Sequence, residues 1–86
     1  MWEKEDQKLV REFTFNSFAA ALAFIQEVGL LAEAHRHHPT IINTHSQVRL
    51  ELTTHDADHT LTGKDYALAE AIDSLEATDP ASSRRQ

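Results

Sequence analysis

Residues 18–32 read FAAALAFIQEVGLLA, and this segment decides the fold. Its apolar side chains recur at intervals of three and four positions, which is the pattern of an amphipathic helix that buries one face. Asn16 or Ser17 can cap the start of this helix. Gly29 costs up to about 1 kcal/mol relative to alanine inside a helix, so we expect a neighbouring element to pack closely there. The expected core-facing stripe is Phe18, Ala21, Leu22, Ile25, Val28 and Ala32, widened by Phe24 and Leu31.

Three further segments are expected to be strands, because they are β-branched or alternate between apolar and polar side chains. They are residues 8–15, 40–44 and 47–54. The helix is expected to end near residues 34–36, since Pro39 disfavours helical geometry at the residue before it.

A second helix is expected after a polar loop at residues 55–61. Thr62 can cap it, with Asp65 three positions later in a pair that resembles a capping box. Residues 78–86 have little apolar surface to bury, so we expect one domain over residues 1–77 and a mobile tail. The apolar stripe of the second helix is Leu68, Ala69, Ile72 and Leu75.

The order strand, helix, strand, strand, helix predicts an α+β domain, with two helices on one face of a small antiparallel sheet. A three-stranded sheet with one covered face has exposed edges. Edge-to-edge or face-to-face association would enlarge the core, so we expect a homo-oligomer.

Composition restricts the class of protein. A chain of 86 residues holds one domain, and the absence of cysteine excludes disulfides, thiolate zinc sites and cysteine nucleophiles. The net charge of −6 argues against binding to phosphate backbones, so nucleic acid is not an expected partner. No run approaches the ~20 apolar residues of a membrane span, and the charged start is unlike a signal peptide. We therefore expect a cytoplasmic protein with no membrane partner.

Six histidines are the unusual part of this composition, and their full protonation would cancel the net charge. Glu33, His37 and His38 lie just before Pro39 where the first helix ends, and His55 follows the last predicted strand. Imidazoles exchange protons near neutral pH, so two of them in one cavity can supply an acid and a base without a metal. Alternatively, exposed histidines after a helix only cap its last carbonyls.

A metal site is the other interpretation of the histidines. A zinc or nickel ion could be bound by three imidazoles drawn from His35, His37, His38, His45, His55 and His59. Neighbours in an extended segment point to opposite sides, so His37 and His38 are not expected to share an ion. No paired carboxylates, Gly-rich phosphate loop or serine nucleophile motif is present in the sequence. We therefore expect no metal and no cofactor.

Several motifs together resemble the pterin-4a-carbinolamine dehydratase family, over nearly the whole chain from about Trp2 to Leu75. The motifs are Glu33-Ala-His-Arg-His37-His38-Pro39, Asn43, Thr54-His55-Asp56 and Leu61-Thr62-Gly-Lys-Asp65, preceded by Phe13-Thr-Phe15-Asn-Ser-Phe18. The resemblance implies an antiparallel sheet backed by helices, assembled as homodimers or homotetramers.

The same resemblance implies an activity, which is removal of water from 4a-hydroxytetrahydropterin to give quinonoid dihydropterin. That reaction recycles the cofactor of aromatic amino acid hydroxylases. His37 and His55 would be the catalytic acid and base, and His38 would bind the substrate beside them. Glu33 and Asp65 would shape or polarise the site, and Pro39 would fix the turn that presents the histidines. The residues expected to bind substrate are thus Glu33, Pro39, Thr54, Asp65 and His45.

The chain departs from the family pattern in several places, and Ile41 stands where an aromatic residue is often found. His45 stands where the family usually has an aromatic residue, so an imidazole would form part of the wall around the pterin. The loop after Thr54-His55 is about one residue longer than usual and lacks its glycine. The resemblance also implies an alternative class, a binding or assembly module. Family members include a dimerisation cofactor for a homeodomain transcription factor and a carboxysomal RuBisCO assembly protein. The retained His37-His38 pair favours the enzyme.

Overall fold

A computed structural model describes residues 2–54 and 60–78 of the chain. It confirms the α+β class, with one antiparallel sheet in the order β1-β2-β4-β3 and two helices. The strands are β1 (Glu3–Glu5), β2 (Lys8–Thr14), β3 (Thr40–Thr44) and β4 (Gln47–Leu52), and the helices are α1 (Phe18–His35) and α2 (Gly63–Thr78).

The central strands β2 and β4 supply the sheet side of the core. Their register places Leu9 opposite Leu52 and Phe13 opposite Val48. These four side chains are at most 6% exposed, and Leu50 between them is fully buried. The predicted alternation is therefore confirmed for the face that packs on the helices, while Val10, on the opposite face of β2, is also buried.

Helix α1 begins and ends where the sequence predicts. The Ser17 side chain accepts a hydrogen bond from the Ala20 N–H, and Arg36 closes the helix in the left-handed region, with φ of 53°. The backbone N–H groups of Arg36 and His37 donate hydrogen bonds to the carbonyls of Glu33 and Ala32, respectively. These bonds pair carbonyl groups that would otherwise lack a partner at the end of the helix.

The buried face of α1 differs in part from the prediction. Phe24 packs between two strand aromatics, with ring centroids 4.7 Å from Phe13 and 5.0 Å from Phe15. This contact turns the helix so that Phe18 and Leu22, predicted to be in the core, are 48% and 45% exposed. The close packing expected at Gly29 is also wrong, since a Cβ added there would meet nothing within 4 Å. The buried residues of α1 are Ala21, Phe24, Val28 and Ala32.

Strand β1 was not predicted, because its sequence Glu-Lys-Glu has no apolar residue. Two contacts hold it against the rest of the sheet. Trp2 lies edge-on to Phe13 and donates its indole N–H to Asp73 of α2 at 2.8 Å. On the open face of the sheet, the Arg49 guanidinium pairs with Glu5 at 3.2 Å. The strand therefore forms through tertiary contacts that a local pattern does not reveal.

Helix α2 follows the prediction closely. Leu68, Ala69 and Ile72 are buried, and Leu75 packs partly against the core. The helix includes Thr78, where the tail was expected to begin, and residues 79–86 lie outside the described part of the chain. Helix α1 is long and apolar enough to cross a membrane by length and composition alone, but a core helix meets the same test.

Candidate functional site

The candidate site lies where α1 ends, β4 ends and α2 begins. The left-handed residue Arg36 redirects the chain after α1, and the next side chain, His37, turns inward and is 8% exposed. Asp65 lies in the first turn of α2 and is fully buried. Thr54, beyond the end of β4, is 5% exposed. Three residues predicted for the site from separate parts of the sequence thus meet in one place.

His37 and Asp65 form the central contact of this site. The Nε2 atom of His37 is 2.5 Å from Oδ1 of Asp65. A carboxylate only accepts hydrogen bonds, so Nε2 must hold its proton here. The other ring nitrogen, Nδ1, is then the atom that can exchange a proton with a bound molecule. This is the arrangement in which an acidic residue fixes both the orientation and the tautomer of a histidine.

The second carboxylate oxygen of Asp65 is held by two threonines. Oδ2 accepts from the Thr54 hydroxyl at 2.7 Å and from the Thr62 N–H at 3.0 Å. The Thr54 hydroxyl has one proton and gives it to Asp65, so the Thr62 hydroxyl, 2.7 Å away, donates to Thr54. The predicted capping pair of Thr62 and Asp65 therefore exists, and its acidic member also holds His37.

The protonation state of Asp65 follows from these contacts. Burial alone would raise the pKa of this carboxyl, but the bonds from His37, Thr54 and the Thr62 N–H outweigh it and hold the pKa below its ordinary value of 3.8. Asp65 is therefore a carboxylate at neutral pH.

His38 and Glu33 form a second pair at the surface. The His38 Nε2 atom is 2.7 Å from a Glu33 carboxylate oxygen, and the two side chains are 63% and 76% exposed. Pro39 follows, half-buried, before β3 begins. Both side chains of this pair are exposed to solvent, whereas His37 is buried.

One predicted site residue, His45, is not brought to this place. His45 lies in the turn between β3 and β4, and the hairpin runs from this turn to the pair Thr40 and Glu51 near the site. Four steps along β3 at roughly 3.3 Å each separate its two ends. His55 lies outside the described residues, so its place in the site stays a prediction.

Thr62 was predicted only as a helix cap, and its hydroxyl contact with Thr54 was missed. The sequence contained a signal for it, since Thr62 and Asp65 flank the start of α2. A capping pair is common, however, and spacing does not say that a strand residue will bond to it. No group of three or more His, Asp or Glu side chains suited to a metal occurs within residues 2–54 and 60–78.

Comparison with known proteins gives a consistent result. The family model described as pterin 4 alpha carbinolamine dehydratase matches residues 1–75. A relative from Chloroflexus aurantiacus, provisionally named a pterin-4-alpha-carbinolamine dehydratase, is 51% identical over 74 residues, covering 86% of this chain and 78% of its own. A relative from Prochlorococcus marinus with the same provisional name is 47% identical over 75 residues, covering 87% and 77% of the two chains.

Two solved structures share the fold. A transcriptional coactivator/pterin dehydratase from Brucella melitensis superposes with a TM-score of 0.79 at 30% identity, covering 86% of this chain and 80% of its own. A pterin dehydratase-like protein described as a RuBisCO assembly factor of the alpha-carboxysome gives 0.71 at 22% identity, covering 92% and 90% of the two chains. Known structures of this fold thus include one protein described as a pterin dehydratase and one described as an assembly factor.

Proposed function

The chain belongs to the pterin-4a-carbinolamine dehydratase family, and we propose that it removes water from a 4a-hydroxytetrahydropterin to give the quinonoid dihydropterin. The observation that carries this proposal is the buried contact between His37 and Asp65. It supplies a histidine of fixed tautomer, which is what a reaction made of proton transfers requires. The reaction would serve recycling of a tetrahydropterin cofactor, with the cytoplasm as the expected compartment.

The proposed step balances without an oxidant or reductant. One group protonates the hydroxyl on C4a, the C4a–O bond breaks and water leaves. A second group takes the proton from N5, and the electron pair of the N–H bond forms the new C4a=N5 double bond. His37 takes one of these two roles through Nδ1, and His55 takes the other. Asp65 stays ionised and fixes the orientation of the His37 ring.

The exposed pair of His38 and Glu33 completes the proposed site. His38 follows the buried His37 in sequence, and Glu33 lies about one helical turn before it. Both side chains can form hydrogen bonds with the polar ring of a pterin. Thr54 was predicted to bind substrate, but its hydroxyl donates its hydrogen bond to Asp65. We therefore assign Thr54 to positioning Asp65 rather than to contact with the substrate.

The test is a comparison of dehydration rates, followed by the absorbance of the quinonoid product. We expect His37→Ala to lower the rate by about 10²–10⁴-fold, the usual contribution of general acid–base catalysis. His35→Ala is the matched control, since His35 is an exposed residue at the end of the same helix. Circular dichroism establishes that both variants are folded. Equal rates for the wild type and His37→Ala would overturn the assignment.

One feature favours a second candidate function, a protein-binding or assembly module. Helix α1 exposes Phe18, Leu22 and Leu30 to between 45% and 63%, and Glu27 and Glu33 are its only acidic side chains. Exposed apolar patches on small proteins commonly mark protein contacts. If purified protein is inactive with every pterin tested and yet binds a different protein through α1, the assembly function is favoured over catalysis.

A further inference from the structure

Thr62 stands just before helix α2, yet its hydroxyl is a poor cap for that helix. A capping side chain normally accepts a hydrogen bond from a backbone N–H two or three positions later. Ser17 does this for α1, accepting from the Ala20 N–H at 3.0 Å. The Thr62 hydroxyl oxygen is 3.3 Å from the Lys64 nitrogen, beyond the usual range of roughly 2.7–3.2 Å for an N–H donor. Capping therefore accounts only weakly for the position of this hydroxyl.

The shorter contact of the Thr62 hydroxyl is directed to the candidate site. It lies 2.7 Å from the Thr54 hydroxyl, an ordinary length for a hydrogen bond between two hydroxyls. The Asp65 N–H, which a capping side chain would usually receive, donates instead to the Thr62 backbone carbonyl at 3.0 Å. The start of α2 thus pairs this N–H through the backbone, and the Thr62 hydroxyl proton goes to Thr54.

We propose that Thr62 is a positioning residue of the dehydration site, which holds His37 in place through Thr54 and Asp65. Two routes lead from Thr62 to the Asp65 carboxylate. Its backbone N–H donates directly to Oδ2 at 3.0 Å, and its hydroxyl donates to Thr54, whose own proton reaches the same oxygen at 2.7 Å. The other oxygen, Oδ1, accepts from His37. All the donors in this chain point towards the carboxylate, so each bond polarises and strengthens the next.

Burial explains why Thr54 depends on Thr62. Thr54 is 5% exposed, and its backbone N–H is bonded to the Thr60 carbonyl at 3.0 Å. Without the Thr62 hydroxyl, the buried Thr54 oxygen loses a donor, which is costly where water does not replace it. The rotamer of Thr54 that reaches Asp65 then loses part of its advantage over the others. The Asp65 carboxylate, and with it the His37 ring, would be held less firmly.

Kinetics of three variants separate this role from capping. Thr62→Val removes the hydroxyl and keeps the shape, whereas Thr62→Ser keeps the hydroxyl. Ser17→Ala removes the cap of α1 at the far end of that helix from His37, roughly 27 Å away for 18 residues. We expect Thr62→Val to lower kcat about three- to tenfold, the contribution of one hydrogen bond, with KM nearly unchanged because Thr62 does not touch the substrate. Thr62→Ser and Ser17→Ala should keep the wild-type values. An equal loss of kcat in Thr62→Val and Ser17→Ala, or no loss in either, overturns the role in catalysis.

Proton exchange tests the hold on His37 without reference to activity. The Nε2 proton of His37 is observed by NMR spectroscopy and assigned by its loss in His37→Ala. We expect this proton to exchange with water about three- to tenfold faster in Thr62→Val than in Thr62→Ser, Ser17→Ala or the wild type. Equal exchange in Thr62→Val and the wild type overturns the proposal. The effect on kcat rests on the proposed function, whereas the hold on His37 does not. An inactive wild type would therefore reject the proposed function, and proton exchange would still decide whether Thr62 holds His37.

Discussion

Asp65 shows how one buried carboxylate can serve both the fold and the chemistry. Its first oxygen accepts from His37 and its second from Thr54 and the Thr62 N–H, which ties α1, β4 and α2 together at one point. A buried charge is tolerated because these three donors replace the water that it lost. Loss of any one donor should therefore lower the stability of the fold and loosen the position of the Asp65 carboxylate that holds His37.

Thr54→Val tests this coupling, because valine keeps the shape of threonine and lacks the hydroxyl. We expect a loss of about 1.5–3 kcal/mol in the free energy of unfolding at neutral pH, the contribution of a hydrogen bond to a charged group. The pKa of Asp65 is lowered by folding, so its contribution is present above its ordinary pKa of 3.8 and is lost as the pH falls through the lower folded value. The difference between Thr54→Val and the wild type should accordingly shrink in strong acid. Thr54→Ser should restore most of the loss, and urea unfolding at several pH values measures all three proteins. A difference that does not vary with pH would contradict the coupling.

At this scale the sequence identified residues better than it identified contacts. His37, Thr54 and Asp65 were predicted for one site, and they lie together. The hydroxyl of Thr54 was expected on the substrate, yet it bonds to Asp65. The spacing of residues along the chain indicates which helix or strand a side chain belongs to. The hydrogen-bond partner of a hydroxyl depends instead on which residues the tertiary fold places beside it.

Helix α1 illustrates the same limit for an element. Its bounds were predictable from the Ser17 cap and from Pro39, which are local signals. Its rotation was not predictable, because most residues of the helix are apolar and several faces could be buried. The contact of Phe24 with the strand aromatics determines which face of α1 is buried. Strand β1 likewise depends on contacts between residues far apart in sequence, those of Trp2 with Asp73 and of Arg49 with Glu5.

The choice of buried face is testable by a pair of substitutions in α1. Phe24→Ala should lower the free energy of unfolding by about 3–5 kcal/mol, since it removes a buried ring that contacts Phe13 and Phe15. Leu22→Ala, two positions earlier on the exposed face, should change it by only about 0.5 kcal/mol. Chemical denaturation measures both. A large loss from Leu22→Ala in dilute protein would indicate that the predicted stripe, and not the observed one, faces the core.

For the whole molecule, the outer face of α1 remains to be explained. Phe18, Leu22 and Leu30 lie there without a lysine or arginine anywhere on the helix, and Gly29 leaves open space beside them. Two copies of this face packed against each other would bury the apolar side chains without bringing many charges together. An interface of this kind would give one of the assemblies expected from the sequence, a homodimer or homotetramer.

Leu30→Glu tests this assembly, because it adds a negative charge at the most exposed large apolar side chain of the helix, 63% exposed. In a two-fold contact the added charge faces its own copy, so repulsion should reduce the molar mass measured by light scattering at micromolar concentration. Ala67→Glu adds the same charge at an exposed position of α2 and should leave the mass as in the wild type. If Leu30→Glu and Ala67→Glu both retain the wild-type mass, α1 does not hold the copies together, and any association must use another surface such as β3.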